Sequence, residues 1–129
     1  MIVIDTSVLI RYLVQDDAEQ AALANRLFEE QLSSASPGLI PVITLCETVW
    51  VLGRLYGLGA KDIEPIVTGL IAAPNLVVEH AQEVELAVVA SAGFADALLH
   101  HIGRALGAEK TVTFDRKFAR LEGVALLGA

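Results

Sequence analysis

The chain has 129 residues, of which 54% are apolar and 19% are charged. This length fits one domain, and the apolar content excludes an intrinsically disordered chain. The formal net charge of −7, from 16 acidic and 9 basic residues, argues against the broad basic surface that usually marks a nucleic-acid-binding protein. It does not exclude a site whose carboxylates are neutralised by cations.

Three further features concern the environment of the protein. Cys46 is the only cysteine, so no disulfide can form within the chain, which fits a reducing compartment. No apolar run approaches the ~18 residues of a membrane helix, and no basic segment precedes the first apolar run. We therefore expect a cytoplasmic, soluble protein in which residues 1–129 form a single domain.

Because its apolar content exceeds what a small monomer can bury, we also expect a partner chain to cover some of the surface.

The first half of the chain predicts alternating strands and helices. Residues 1–4 are an Ile- and Val-rich run typical of a buried strand, and the apolar residues after them recur at helical spacing. An apolar stripe predicts an amphipathic helix over about 16–33, followed by a loop at 33–38. The run LIPVI at 39–43 predicts a second strand, in which Pro41 suits an edge or a strand end.

The second half continues this alternation. Residues 44–59 predict a helix that is apolar on nearly every face and ends at Gly57, and a second apolar helix follows it. Three more strands and three more helices are predicted: strands at 76–79, 110–113 and 124–127, and helices at about 82–91, 96–106 and 115–120. The alternation indicates an α/β fold, a three-layer α/β/α sandwich around a mostly parallel sheet of about five strands.

Four carboxylates lie at junctions between the predicted strands and helices. Asp5 ends the first strand, Glu47 follows the second, Asp96 begins a helix, and Asp115 follows a later strand. In open α/β sheets, ligands bind beyond the carboxyl ends of the strands, so acids that are distant in sequence can converge there. Each acid alone is explained equally well as a helix cap, and TLCE at 44–47 has the form of a capping box. Four acids at equivalent junctions favour a common site, and a cap can hold a ligand at the same time.

A cluster of carboxylates points to a particular class of cation. Neighbouring carboxylates raise one another's pKa unless a cation compensates their charge. Carboxylate oxygens with water as the remaining ligands suit Mg²⁺ or Mn²⁺, whereas Zn²⁺ would call for several His or Cys. Sites of this kind usually handle phosphates. An acidic protein can therefore bind an acidic polymer through a metal ion.

Four segments of the chain resemble the PIN-domain ribonucleases, and in particular the VapC-type toxins of prokaryotic type II toxin–antitoxin systems. They are VIDTSVLI at the start, ITLCETVWVLGRLYGL in the middle, FADALL at 94–99 and TFDRKF at 113–118. Their order and spacing follow the family pattern along essentially the whole chain. The resemblance implies a PIN-like fold, metal-dependent endonucleolytic cleavage of RNA, a homodimer and inhibition by a cognate antitoxin.

The resemblance also implies roles for the four acids. Asp5, Glu47, Asp96 and Asp115 would form the catalytic, metal-binding quartet, with Mg²⁺ or Mn²⁺ as the cofactor. Asp5 and Asp96 are the first choices for direct metal ligands. The reaction implied is hydrolysis of the RNA phosphodiester by water, without a covalent enzyme intermediate, leaving a 5′ phosphate.

Other polar residues near these motifs are candidates for supporting roles. Ser7 and Thr113 would be hydroxyls close to the quartet. Arg116, Lys117 and Arg120 can bind RNA phosphates beside the site, since the two arginines are one helical turn apart. A solvated basic helix face explains these three residues equally well.

Some motifs also fit other classes of protein. An aspartyl phosphatase of the haloacid-dehalogenase kind needs a second Asp two residues after the first, where this chain has Ser7. Two interpretations stay open: a PIN nuclease of housekeeping RNA processing without an antitoxin, and a non-catalytic module whose acids are only caps and whose apolar helices bind a protein. Cys46 is assigned to packing, Trp50 and Tyr56 to the core or an interface, and His100 is interpreted as a partly buried histidine.

Overall fold

The computed structural model describes residues 1–128. The chain divides into two compact units, Met1–Glu79 (unit 1) and the residues from His80 onward (unit 2). All strand pairs in both units are parallel. Among the described residues, no helix combines the length and the apolar character needed to cross a membrane.

Unit 1 is built on a three-stranded sheet in which β2 lies between β1 and β3. Leu39 of β2 pairs with Val3 on one side and Val77 on the other. Helix α1 packs against both α2 and α3. The elements in chain order are β1 (Ile2–Val3), α1 (Thr6–Val14), α2 (Ala18–Arg26), a π-helical turn (Leu27–Gln31), β2 (Gly38–Ile40), α3 (Val42–Arg54), α4 (Ala60–Ala72) and β3 (Leu76–Val78).

The core of unit 1 fixes the positions of α1 and α3. Ile4, Leu9, Ile40, Leu45 and Leu52 are each at most 1% exposed. Burial of one such side chain contributes roughly 1.5–3 kcal/mol relative to leaving it in water. The residues at the starts of these two helices are therefore held firmly beside the ends of β1 and β2.

Two predicted elements near the N-terminus differ from the structure. Ile2 and Val3 form β1 but are 47% and 65% exposed, so the expected burial of this strand begins only at Ile4. The helix expected over 16–33 begins at Ala18, and its last turn is π-helical. Asp17 caps it, because its Oδ1 accepts a hydrogen bond from Gln20 N at 2.9 Å.

The second strand is shorter than predicted, because Pro41 ends it. Pro41 has φ −65° and ψ 157° and lies directly before α3, where its missing N–H costs nothing. Val42 and Ile43, expected in the strand, are the first residues of the helix. The Val42 N–H is satisfied by Glu79 Oε1 at 2.9 Å. The helix then ends at Arg54, three residues before the expected Gly57.

Unit 2 contains a pair of helices and a two-stranded sheet. Helix α5 packs along α6, and Val84, Ala87, Ala97 and Leu98 of these helices are buried. Val112 of β4 pairs with Ala125 of β5. The elements are α5 (Ala81–Val88), α6 (Phe94–Ala105), β4 (Thr111–Thr113), a 3₁₀ turn (Phe118–Arg120) and β5 (Val124–Leu126).

The predicted fold class is confirmed, with two differences of detail. All five predicted strands are present and pair in parallel, but within residues 1–128 they form one sheet of three strands and one of two. The helix expected at 115–120 is wrong, since only Phe118–Arg120 is helical, as a single 3₁₀ turn.

Candidate active site

Asp5 lies at the junction of β1 and α1 and is the N-cap of that helix. Its backbone is extended, with φ −79° and ψ 155°. Its Oδ2 accepts two hydrogen bonds from Ser7, one from Oγ at 2.6 Å and one from the backbone N at 3.2 Å. These bonds stabilise the ionised form, so the pKa of Asp5 is lowered, first by the Ser7 hydroxyl and then by the Ser7 N–H. The side chain is exposed and keeps its charge available to a ligand.

Glu47 lies inside α3 and not at its start. The predicted capping box at 44–47 is wrong, because the helix already begins at Val42. Thr44 instead donates its hydroxyl to the carbonyl of Ile4 at 3.0 Å, which ties α3 to the residue just before Asp5. Thr44, Leu45 and Thr48 face the core, and Glu47 is exposed. This bond and the packing around it place Glu47 near the end of β1.

The structure brings Asp5 and Glu47 together in the wall of one cavity. The cavity has a volume of about 350 Å³. It is lined by α1 and α3, and by the residues that follow α3: Asp5, Thr6, Ser7, Ile10, Arg11, Glu47, Val51, Leu55 and Tyr56. The predicted supporting residue Ser7 lies in the same wall. Two carboxylates and a hydroxyl around a solvent-accessible cavity are suited to binding a cation.

Arg11 and Tyr56, which line this cavity, belong to a polar cluster that the sequence did not predict. Arg11 Nε donates to Gln20 Oε1 at 2.7 Å, and Arg11 Nη1 contacts Asp16 Oδ1 at 3.0 Å. Tyr56 donates its hydroxyl to Asp16 Oδ2 at 2.7 Å. Tyr56 was expected in the core or an interface; it is only partly buried in this chain, and an interface role stays a prediction. The available signal was helical spacing, because Arg11 follows Ser7 by four residues and so lies on the same face of α1.

In unit 2, Asp96 occupies the first turn of α6. The helix begins at Phe94 with Gly93 as N-cap, so Asp96 is its third residue and not its first as expected. A Cβ built on Gly93 would lie 3.7 Å from Asp96 Oδ2, which shows that the carboxylate turns back toward the start of the helix. An acid at this position is favoured by the helix dipole. Within residues 1–128 its oxygens accept no hydrogen bond, which leaves them available to a ligand.

Asp115 follows β4 and organises the turn after it. Its Oδ1 accepts hydrogen bonds from Lys117 N at 2.8 Å and Phe118 N at 3.2 Å. Its own N–H donates to Thr113 Oγ1 at 3.0 Å. Thr113 therefore contacts the backbone of Asp115, whereas Ser7 contacts the carboxylate of Asp5. Asp115 acts as a local cap in the structure, and its Oδ2 is not used by these bonds.

The three basic residues after Asp115 are exposed but do not share a helix face. Arg116 and Lys117 lie in a turn, and Arg120 lies in the 3₁₀ turn that follows. Arg116 and Arg120 are therefore not one turn apart on a helix, because only Phe118–Arg120 of the helix predicted at 115–120 is helical. Because all three side chains are exposed, they are accessible to RNA, and their role in RNA binding stays a prediction.

The donor set in unit 1 fits a hard divalent cation. Mg²⁺ is usually held by one or two carboxylates and keeps several waters, and Asp5 and Glu47 supply two carboxylates to one cavity. Among residues 1–128, no three or more His, Cys, Asp or Glu side chains form a group able to hold a metal. The convergence of Asp5 and Glu47 with Asp96 and Asp115 stays a prediction.

Cys46, beside Glu47 in the sequence, has no feature of a nucleophile. Burial raises the pKa of its thiol, which disfavours the reactive thiolate. The side chain is partly buried, in keeping with the packing role expected of it. Cys46 is therefore not a candidate nucleophile of this site.

Comparison with known proteins bears on both units. No curated protein sequence matches the chain. A family model described as the PIN domain matches residues 2–124, which include all four acids. PIN domains are in general nucleases, and these nucleases generally bind RNA and use divalent metal ions. Because the match covers nearly the whole sequence, the chain belongs to the PIN domain family.

Proposed function

We propose that the protein is a Mg²⁺- or Mn²⁺-dependent endoribonuclease that hydrolyses RNA phosphodiester bonds. The observation that carries the proposal is the cavity that Asp5, Ser7 and Glu47 share in a chain of the PIN family. The family match runs through both units, which supports a single nuclease domain of residues 1–129. Asp96 and Asp115 then complete the acidic quartet.

The residues of the chain have distinct parts in this reaction. A divalent cation at such a site would polarise the phosphoryl oxygens and assist ionisation of the attacking water. Ser7 stabilises the ionised form of Asp5, which would hold the cation. Glu47, in the same cavity, would hold the cation or orient the attacking water. In the proposed reaction, water attacks the phosphorus directly and the bond from phosphorus to the 3′ oxygen breaks, which leaves a 5′ phosphate and a 3′ hydroxyl.

The reaction is tested with a mixed pool of tRNA, rRNA and mRNA incubated with the purified protein and Mn²⁺. We expect internal cuts whose new ends carry a 5′ phosphate and a 3′ hydroxyl, and no cuts when EDTA is present. A pool that stays intact with both Mg²⁺ and Mn²⁺ would contradict the proposal. Mapping of the ends also identifies the preferred sequence.

The contribution of unit 2 is tested by substitution of its two acids. Asp96→Asn and Asp115→Asn each remove a charge, and Asn at 115 keeps an oxygen that can cap the turn. We expect both variants to lose cleavage. Glu109→Gln is the matched control, because Glu109 is exposed and its carboxylate makes no hydrogen bond within residues 1–128. If Asp96→Asn and Asp115→Asn cleave as fast as Glu109→Gln, the quartet is wrong.

We further propose that this nuclease is a cytoplasmic toxin of the VapC type, a homodimer held inactive by a cognate antitoxin. Support comes from apolar side chains exposed on α3, where Ile43 is 77% and Trp50 61% exposed. These residues are two helical turns apart and share a face of the helix. A partner chain that covers this face would remove costly apolar surface from water.

Trp50 provides a direct readout, because it is the only tryptophan in the chain. We expect a short reading frame upstream of the gene to encode a small DNA-binding protein. Its product should abolish cleavage, co-elute with the nuclease and shift Trp50 fluorescence to shorter wavelength. Absence of such a reading frame, with cleavage intact, would favour a housekeeping nuclease. Complex formation without any metal-dependent cleavage by the free protein would favour a binding module.

A further inference from the structure

Arg11 is the only basic residue in the wall of the Asp5–Glu47 cavity. Unit 1 has three other basic residues, Arg26, Arg54 and Lys61, and none of them lines it. A phosphodiester carries a negative charge and is repelled by the two carboxylates. The guanidinium of Arg11 is therefore the only positively charged group that this wall offers to the substrate.

The guanidinium of Arg11 is held in a fixed orientation. It donates to Gln20 at the start of α2 and contacts Asp16 in the segment between α1 and α2. Asp16 is in turn fixed by the Tyr56 hydroxyl. The Tyr56 hydroxyl and the nearby Asp16 charge both raise the pKa of Arg11. An arginine is protonated at physiological pH in any case, so the positive charge is permanent, and the bonds to Gln20 and Asp16 orient it.

The ion pair between Arg11 and Asp16 does not use the full binding capacity of the guanidinium. The side chains of Arg11 and Asp16 are 33% and 42% exposed, and ion pairs at such exposure contribute little to stability. Arginine has five N–H donors, of which the bonds to Gln20 and Asp16 use two. Donors remain for a ligand in the cavity, and the planar guanidinium matches the oxygens of a phosphate group.

We propose that Arg11 binds a phosphate of the RNA strand at the site of cleavage. The inference rests on the proposed ribonuclease function. Asp16, Gln20 and Tyr56 are positioning residues that hold the guanidinium. The N–H donors that Gln20 and Asp16 leave free on Arg11 then bind the strand beside the two carboxylates.

The first test measures binding of a fluorescently labelled 12-nucleotide single-stranded RNA in Mg²⁺. The measurements use a Glu47→Gln background so that the RNA stays intact. Arg11→Gln in this background should raise Kd about tenfold, as expected for loss of a charge-assisted hydrogen-bonded contact. It should also lower the slope of log Kd against log salt by about 1. Arg26→Gln, the same charge change at an exposed residue outside the cavity, should change neither quantity by a comparable amount.

The second test uses cleavage kinetics with Glu47 intact. Arg11→Gln should raise KM about tenfold in a protein whose thermal unfolding is unchanged. Arg11→Lys keeps the charge but loses the planar guanidinium, so it should raise KM less and keep the salt slope. This variant also serves if Arg11→Gln fails to fold, because an unchanged Kd and KM for a folded Arg11→Lys would contradict phosphate binding by the planar guanidinium.

The outcomes separate this inference from the proposed function. If the wild type cleaves RNA and Arg11→Gln keeps its KM, Kd and salt slope, Arg11 does not bind phosphate although the nuclease proposal stands. If the wild type does not cleave RNA with Mg²⁺ or Mn²⁺, the proposed function fails. The binding measurements then still decide whether Arg11 contacts RNA.

Discussion

Ser7 donates two hydrogen bonds to a single oxygen of Asp5, from its hydroxyl at 2.6 Å and from its backbone N at 3.2 Å. Both bonds favour the ionised carboxylate and lower the pKa of Asp5. The same contact caps α1, so it links the local fold to the chemistry of the cavity.

Replacing Ser7 with Ala should raise the pKa of Asp5, because the hydroxyl is the largest cause of its lowering. Asp5 then becomes protonated at a higher pH, so the acid limb of the cleavage-rate profile should move to higher pH. Carboxyl NMR titration of the metal-free protein measures the pKa directly, with the exposed Ser34→Ala as control. An unchanged titration of Asp5 in Ser7→Ala would contradict this prediction.

Replacing Thr48 with Val should stabilise the protein. Thr48 is 1% exposed, and its hydroxyl has no hydrogen-bond partner within residues 1–128. Val has nearly the same shape without an unsatisfied polar atom, so the free energy of unfolding should rise by about 1 kcal/mol. Thr44→Val in the same helix is the matched control: it removes the bond to the Ile4 carbonyl and should lower stability by about 1 kcal/mol. Urea denaturation measures the free energy of unfolding of both variants, and an equal change in the two would contradict the prediction.

Gly123 should tolerate no side chain. Its φ is +87°, and a Cβ there would lie 2.9 Å from His100 Cε1. Gly107 has a similar φ of +95° but open space around the added atom. Gly107→Ala should therefore lower the free energy of unfolding by only the ~1–2 kcal/mol that a left-handed backbone costs. Gly123→Ala should lower it by a further ~1–3 kcal/mol because of overpacking. Chemical denaturation separates the two, and a Gly123→Ala no less stable than Gly107→Ala would show that the contact with His100 is relieved easily.

His100 should make the protein less stable in mild acid. It is 4% exposed, and its Nδ1 lies 2.8 Å from Thr111 Oγ1, which confirms a buried histidine. Burial lowers its pKa below the ordinary 6.5, and the charges of His101 and Arg104 lower it further. The unfolded chain therefore binds a proton at a higher pH than the folded protein, so stability is complete above pH 6.5 and falls as pH decreases below it.

Urea denaturation at pH 7.5 and 5.5 measures this effect. The wild type should lose stability at the lower pH, and His100→Asn should lose less of it. A His101→Gln control should retain most of the wild-type dependence. Equal pH dependence in the wild type and His100→Asn would assign the effect to other groups.

The order of helices and strands was predictable because apolar periodicity and turn residues are local signals. Element boundaries were not, as the segment LIPVI shows. A short run of apolar residues fits a buried strand or a buried helix turn, and only the extended backbone at Pro41 divides it between β2 and α3. Because of this error, Glu47 was expected at the start of the helix, whereas it lies in the helix interior.

The candidate site was predictable in part for a similar reason. Asp5 and Ser7 are adjacent in sequence, so their contact follows from local capping geometry. Arg11 was missed because its importance depends on Tyr56, which is distant in sequence and reaches Asp16 only through packing of α1 and α3. Trp50 was expected in the core or an interface, and its exposure in the structure shows that it is not a core residue of this chain.

The most direct test of a catalytic role for Asp5 compares two aspartates that both cap helices. Asp5 caps α1 at the cavity, and Asp17 caps α2 outside its lining. Asn keeps a capping oxygen at either position and removes the charge. The measurement is the rate of RNA cleavage in Mn²⁺ by Asp5→Asn, Asp17→Asn and the wild type. We predict at least about a hundredfold loss for Asp5→Asn alone, since a charge that binds the metal stabilises the transition state by several kcal/mol. Equal rates for the three proteins would show that Asp5 is only a helix cap.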